Sequence, residues 1–249
     1  MYEPRVYRHW IKDKDLISCN VVVKETDLYI RASTNLKSKA LKLVLKHRDA
    51  LERYIERHPA FLTSLEPLPV EEDAPYIVKL MSESASKVGV GPMASVAGAI
   101  AELVGNELLA FSPEIIVENG GDIYLKSLRK RLIGIYAGKS PLSGKIGLEI
   151  NEEDTPLGIC TSSGTVGHSM SYGKADAVVV LSRSAVLADA AATAIGNLIK
   201  QPADISNGIE FARGIDGLEG VIIIQGGDMG LWGKVEICPF SIVKQGIRG

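Results

Sequence analysis

The feature that most restricts this chain is an unbroken series of short β-rich runs. EIIVE (114–118), DIYLK (122–126), LIGIYAG (132–138), KIGLEI (145–150), LGICTS (157–162) and ADAVVVLS (175–182) follow one another with only turns or loops between them. A helical stretch over 184–199 precedes two further runs, GVIIIQ (220–225) and WGKVEI (232–237). Strands in series, with helices in separate blocks, argue against alternating strand–helix units. They predict an α+β fold with antiparallel-rich sheets and packed helices.

The first hundred residues supply most of the helices. LISCNVVVK (16–24) and LYIRAS (28–33), joined by ETD, predict a hairpin. Leu41, Val44, Leu45, Leu51, Tyr54 and Ile55 recur at three- and four-residue intervals among charged residues, which predicts a helix over about 35–58 that stops at Pro59. The proline- and acid-rich SLEPLPVEEDAP (64–75) reads as a connector, and two more helices are expected near 75–87 and 94–109. No repeat, low-complexity tract or clear break divides the chain. The expectation is one domain over 1–249, with a hairpin and helix in 1–60 and a core in 75–240.

Composition narrows the function classes. A net charge of −2 gives no general attraction to nucleic acid or anionic membrane, so neither is expected as a partner. The two most apolar segments, 93–110 and 184–199, carry Glu102, Glu107 and Asp189 and do not read as membrane spans. MYEPRVYRHW has no apolar stretch followed by a small-residue cleavage site, and a cytoplasmic chain is expected. Cys19, Cys160 and Cys238 are far apart and form no metal-ligand spacing; Cys160 is expected to be buried rather than reactive.

Four stretches break the rules of their surroundings. VENGGDIY (117–124) is a tight hairpin, with or without a site at Glu118 and Asp122. CTSSGTVGHSMSYG (160–173) crowds hydroxyls, glycines and His168 directly after a strand; it is either a surface loop or a cradle for phosphate oxygens. GVGPMA (89–94) nominally fits a dinucleotide fingerprint, but polar, helix-prone LMSESASK precedes it where that fingerprint needs a strand. A helix N-terminus offering free N–H groups to an anion is the better reading there. In LADAAATAIGN (187–197), Asp189 and Thr193 lie on one helical face, either exposed or as hard oxygen donors suited to Mg²⁺.

Taken in order, GVGPMASVAGAIAE, VENGGDIY, TSSG and ADAAATA resemble the ApbE superfamily, the FAD:protein FMN transferases, with their Ala/Gly-rich helix start, GGD, TSG and ADALATA. With ETDLYI and YAGKSPLS, the chain resembles most closely an uncharacterised ApbE-like branch, from about residue 5 to 237. The resemblance implies an ApbE-like fold and FAD, or a related nucleotide, held beside Mg²⁺. FMN would pass to a Thr or Ser of a protein acceptor, with release of AMP. It also implies that Asp189 and Thr193 ligate the metal with a backbone carbonyl at Gly91 or Pro92. Asp122 would be a third ligand or would support one. Gly120, Gly121 and Asp122 would line the nucleotide, as would Thr161, Ser162, Ser163 and Gly164. Asp122 or His168 would act as base. The family's HIIDP-like segment is absent, and Ser95 stands where a lysine is common. The alternative is a non-catalytic flavin- or nucleotide-binding module serving a partner enzyme in anaerobic metabolism such as sulfur assimilation toward homocysteine; a homo-oligomer is compatible with either.

Overall fold

In the computed structural model, which describes residues 5–10, 15–164 and 173–240, the chain opens with the expected hairpin. β1 (Ile17–Val23) and β2 (Thr26–Ala32) meet across a turn at Lys24 and Glu25. The turn is shorter than the ETD connection suggested: Thr26 and Asp27 already pair with Val23 and Val22. Lys24 takes a positive φ of 51° there.

Four helices follow: α1 (Lys37–Arg57), a short α2 (Ala60–Thr63), α3 (Tyr76–Val88) and α4 (Val96–Leu108). Pro59 ends α1 and caps α2. A 3₁₀ turn, Pro92–Ser95, leads into α4. The strand series is β3 (Ile115–Asn119), β4 (Asp122–Lys126), β5 (Arg131–Gly134), β6 (Ile146–Ile150), β7 (Leu157–Ser162) and β8 (Ala177–Ser182). Then come α5 (Ala185–Leu198), α6 (Ile205–Arg213), β9 (Leu218–Gln225), β10 (Asp228–Gly233) and β11 (Glu236–Pro239).

The strands form two antiparallel sheets. The larger runs β1-β2-β3-β4-β7-β8-β9-β10 and the smaller β11-β6-β5. Strand alternation divides the large sheet's residues between two cores. Val117, Tyr124, Cys160, Val178, Val180 and Ile223 pack under the helices with Val44, Met81, Val104 and Ile195. Ile116, Leu125, Ile159, Val179 and Ile222 pack against Ile133, Leu148 and Ile150 of the small sheet. The molecule is therefore helices, large sheet and small sheet in three layers. β7 and β8 are covered on both sides, which is why their sequences read as continuous apolar runs rather than alternating ones. The fold is α+β, as the order of elements requires.

The carboxyl-terminal part departs from expectation in two places. WGKVEI is not one strand: Gly233, at φ +83°, ends β10, and the chain crosses to the small sheet as β11. A Cβ at Gly233 would stand 2.2 Å from the Glu219 carbonyl oxygen, so the crossing requires glycine for space as well as for φ. α6 was not anticipated, because Gly208 sits in its interior and weakens its propensity. That glycine instead lets α6 lie on Ile223 and Ile199. Among the described residues no single helix is long and apolar enough to cross a membrane.

Candidate functional site

The alanines of α5 are there for close approach. Ala185, Ala188, Ala190, Ala191 and Ala192 are fully buried. The facing surfaces are equally small: a Cβ on Gly158 of β7 would stand 2.4 Å from the Ala185 Cα, and one on Gly98 of α4 would stand 2.2 Å from the Ala185 carbonyl oxygen. α5 is thereby pressed against both the sheet and α4.

At this contact Asp189 has a definite structural partner. Its Oδ2 accepts the Gly98 N–H at 2.8 Å, and the Ala97 N–H also donates to it. These N–H groups belong to the first turn of α4, where Ser95 at the N-cap position supplies no side-chain bond. The anion site expected at this helix start is thus filled by the protein's own carboxylate. α4 returns the favour: Glu102 Oε2 accepts the Val186 N–H at 3.2 Å and the Ser184 hydroxyl at 3.1 Å, at the start of α5. Each helix caps the other.

The GGD turn reaches the same corner from the sheet. Gly120 (φ +72°) and Gly121 (φ +113°) occupy backbone conformations that L side chains rarely adopt, so the tight link from β3 to β4 needs both glycines. Asn119 donates its side-chain N–H to the Ala97 carbonyl at 3.1 Å, fixing the turn to the start of α4. Asp122, opening β4, accepts the Thr161 N–H at 3.2 Å and a bond from the Cys160 thiol across the strand pair. Cys160 is fully buried, and its single S–H is shared between Asp122 and the Ala185 carbonyl, 3.3 Å from the sulfur. Burial and the neighbouring acids push its thiol well up, so it is not a nucleophile at neutral pH.

Electrostatics sets this corner apart. Burial pushes the Asp122 carboxyl up to about 7; the Glu118 charge adds to the rise, while the Thr161 N–H, the Cys160 thiol and Arg5 oppose it. Burial also drives Asp189 well above the usual carboxylate range, and Asp122 raises it further. Neither acid has an ion-pair partner among the described residues. Ser162 ends β7 on the same sheet face as Cys160 and Asp122, and its hydroxyl is buried without a hydrogen-bond partner among the described residues. Strand alternation places the Thr161 side chain on the opposite face, so Thr161 serves this corner through its N–H.

Residues 8–231 match the family model described as AbpE bacteria. The chain belongs to that family. Similar sequences include a UPF0280 protein of Methanopyrus kandleri, 46% identical over 226 residues that cover 88% of this chain and 91% of that one. A UPF0280 protein of Methanocaldococcus jannaschii is 44% identical over 221 residues, covering 86% and 90%. Among solved structures, the apo flavinyl transferase ApbE of Pseudomonas stutzeri aligns with a TM-score of 0.58 at 13% identity, over 87% of this chain and 93% of that one. The apbe protein of Thermotoga maritima aligns with a TM-score of 0.57 at 11% identity, over 86% and 96%. At these identities the likeness is one of fold, and the fold is ApbE-like.

The remaining sequence-selected residues of this AbpE-family chain fall as follows. Thr193 is half-buried, one turn beyond Asp189 on α5. The Pro92 carbonyl accepts the Ser95 hydroxyl at 2.8 Å and the Gly91 carbonyl accepts the Ala94 N–H at 3.1 Å, within a turn that packs against α5. Ser163 and Gly164 continue from β7, where the Gly164 N–H donates to the Ala175 carbonyl at 2.9 Å. His168 lies outside the described residues. Among the described residues no three His, Cys, Asp or Glu side chains stand together as a metal cluster.

Sequence reasoning missed the support behind the turn. Glu118 is buried on β3; it accepts the Gly121 N–H at 2.9 Å, the Tyr7 hydroxyl at 3.1 Å and the Arg8 Nε at 2.5 Å. Arg8 also meets Asp27 Oδ1 at 3.0 Å, and Arg5 meets Asp27 Oδ2 at 3.0 Å. A carboxylate in a buried strand signals that a cation must exist somewhere, because buried charges are paired. Nothing in the sequence says that the cation lies 110 residues upstream.

Proposed function

We propose that this chain binds FAD, or a related flavin nucleotide, beside Mg²⁺ at the corner formed by α4, α5 and the GGD turn. There it would cleave the pyrophosphate, passing FMN to an acceptor hydroxyl. One observation carries the reading: Asp122 and Asp189, from separate elements, come together under the helices with no ion-pair partner among the described residues, and the Asp122 charge raises the proton affinity of Asp189. A shared cation relieves that repulsion. The available donors are carboxylate, hydroxyl and carbonyl oxygens, which suit Mg²⁺. Having fewer than three acidic or imidazole ligands also fits, since that ion commonly takes one or two carboxylates and completes its shell with water and phosphate oxygens. The partnerless Ser162 hydroxyl marks a place where a ligand oxygen can dock. The ApbE-like fold, shared with proteins described as flavin transferases, supports a flavin nucleotide as the ligand.

In this reading Asp189 and Thr193 hold the metal, with a Gly91 or Pro92 carbonyl contributing. Gly120, Gly121 and the 161–164 segment line the nucleotide. Bound Mg²⁺ supplies charge neutralisation on the pyrophosphate oxygens. The P–O bond between the two phosphoryl groups breaks and AMP leaves with its electron pair; a P–O bond forms to the acceptor oxygen, a Ser or Thr of a protein. The acceptor's proton would go to Asp122 or to His168.

The deciding experiment is Mg²⁺-dependent AMP release from FAD, comparing the parent with Asp189→Asn, which retains an oxygen for the Gly98 N–H. Release by the parent and its loss in the variant support the reading; equal release by both sinks it. The Gly98 and Ala97 N–H groups that already bond Asp189 favour a second reading, a flavin-binding module serving a partner enzyme. That reading expects FAD binding with no AMP released.

A further inference from the structure

The amino-terminal segment carries two arginines to the GGD turn and uses them differently. Arg8 is sealed in: its side chain is 7% exposed and is matched by both Glu118 and Asp27. Arg5 is more open, at 21%, with Nη1 on the Asp27 carbonyl at 2.8 Å and on Asp27 Oδ2 at 3.0 Å. Its Nη2 lies over exposed Gly120, 3.4 Å from where a Cβ would be. The Arg5 charge also reaches into the corner, being among the groups that lower the proton affinity of Asp122. Arg5 stands just ahead of the 8–231 stretch that the family model matches.

We propose that Arg5 is an anion-binding residue of the corner, contacting a phosphate oxygen of the ligand across the Gly120 turn. The inference rests on the flavin-nucleotide reading above. A pyrophosphate approaching Asp122 and Asp189 meets two carboxylates and needs positive charge beyond the metal's. A guanidinium is a charge-assisted donor well suited to phosphate oxygens, and with Nη1 committed to Asp27 it is the Nη2 side that faces the Gly120 turn. Arg8 and Tyr7 hold the segment in place through Glu118, so the contact is preorganised rather than recruited. Glycine at 120 keeps the approach clear of any side chain.

The test is calorimetric titration of FAD in the presence of Mg²⁺ at two salt concentrations, with the parent, Arg5→Met and Arg5→Lys. Arg5→Met keeps an unbranched stem without charge. It should weaken FAD binding about tenfold or more, the scale of one charge-assisted hydrogen bond, and flatten the salt dependence. Arg5→Lys should recover part of the affinity, and it decides the matter if Arg5→Met fails to fold. Parent-like binding by Arg5→Met overturns the proposal, as does a loss that keeps the parent's salt dependence, because Arg5 would then only shape the turn. A parent that binds no FAD removes the flavin reading and this inference together; a parent that binds beside an unaffected variant removes this inference alone.

Discussion

Asp189 on α5 and Gly98 on α4, 91 residues apart, are joined by a 2.8 Å hydrogen bond from the glycine N–H to the carboxylate. The bond gives the acid a role in the fold whether or not a metal arrives. The two roles separate by substitution. Asp189→Ala should lose about 1 kcal/mol, the usual effect of removing a helix cap. Asp189→Asn should be at least as stable as the parent at pH 8, because it keeps an acceptor and removes one of two like charges. Urea denaturation of both variants measures this.

Gly98→Ala tests the spacing itself. The added methyl would stand 2.2 Å from the Ala185 carbonyl oxygen and 2.9 Å from the Asp189 Cβ, so α4 and α5 must part. A loss of about 1–3 kcal/mol is expected, with the Asp189 contact weakened. Unchanged denaturation would show that the helices have slack.

The paired acids give a signed pH dependence. Asp122 rises from 3.8 to about 7 on folding, so the folded protein holds a proton that the unfolded chain has released. Its contribution to stability therefore falls as pH rises from near 4 through about 7, and is then constant. Asp122→Asn should remove that decline. Mg²⁺ should stabilise the parent more at pH 8 than at pH 5.5, since it competes with protons for the same oxygens. Thermal melts with and without Mg²⁺ at the two pH values check both statements.

Ser162→Ala should separate stability from binding. The hydroxyl is buried and unpartnered, so its removal should leave stability unchanged or raise it by up to about 1 kcal/mol. FAD affinity should fall in the same variant. A variant that is destabilised while binding FAD normally would assign the hydroxyl to the fold alone.

A second charged knot, away from the corner, should govern acid tolerance. Arg131, 4% exposed, places Nη2 2.8 Å from both Asp15 Oδ2 and Glu114 Oε2. Its hydrogen bond holds Asp15 down at about 2, and Glu114 is also lowered despite burial, by hydrogen bonds from the Leu128 N–H, Ser127 and Arg131. Stability from these acids is full above their unfolded values and is lost as pH falls through the folded ones. Arg131→Met, which leaves buried Glu114 only the exposed Arg129 at 3.9 Å, should cost about 3 kcal/mol at pH 7 and shrink the acid-dependent loss. Acid titration by circular dichroism tests this.

How legible the chain was depends on whether a feature is local. DIYLK and LGICTS match β4 and β7 residue for residue, because turn or loop residues bound each run. α5 was legible from its alanines, and the corner's membership was legible in outline from Asp189 and GGD. The shortfall has physical causes. α6 is built around a glycine whose value lies in packing, and β10 and β11 part at a glycine whose φ no pattern of hydrophobicity reports. The Glu102 cap and the Arg8–Glu118 pair join residues 84 and 110 apart, and periodicity has no reach at that distance. His168 lies outside the described residues, so its proposed part as a base rests on the sequence.

The exchange of Glu102 and Asp189 between two helix starts has a consequence for how such a scaffold can diversify. Neither rod can slide along the other without uncovering N–H groups on both, so the spot where Asp189 sits is set by interlocked registration rather than by any loop. A change at Glu102, on the far side of that interlock, would therefore be felt at Asp189, although the two acids share no hydrogen bond.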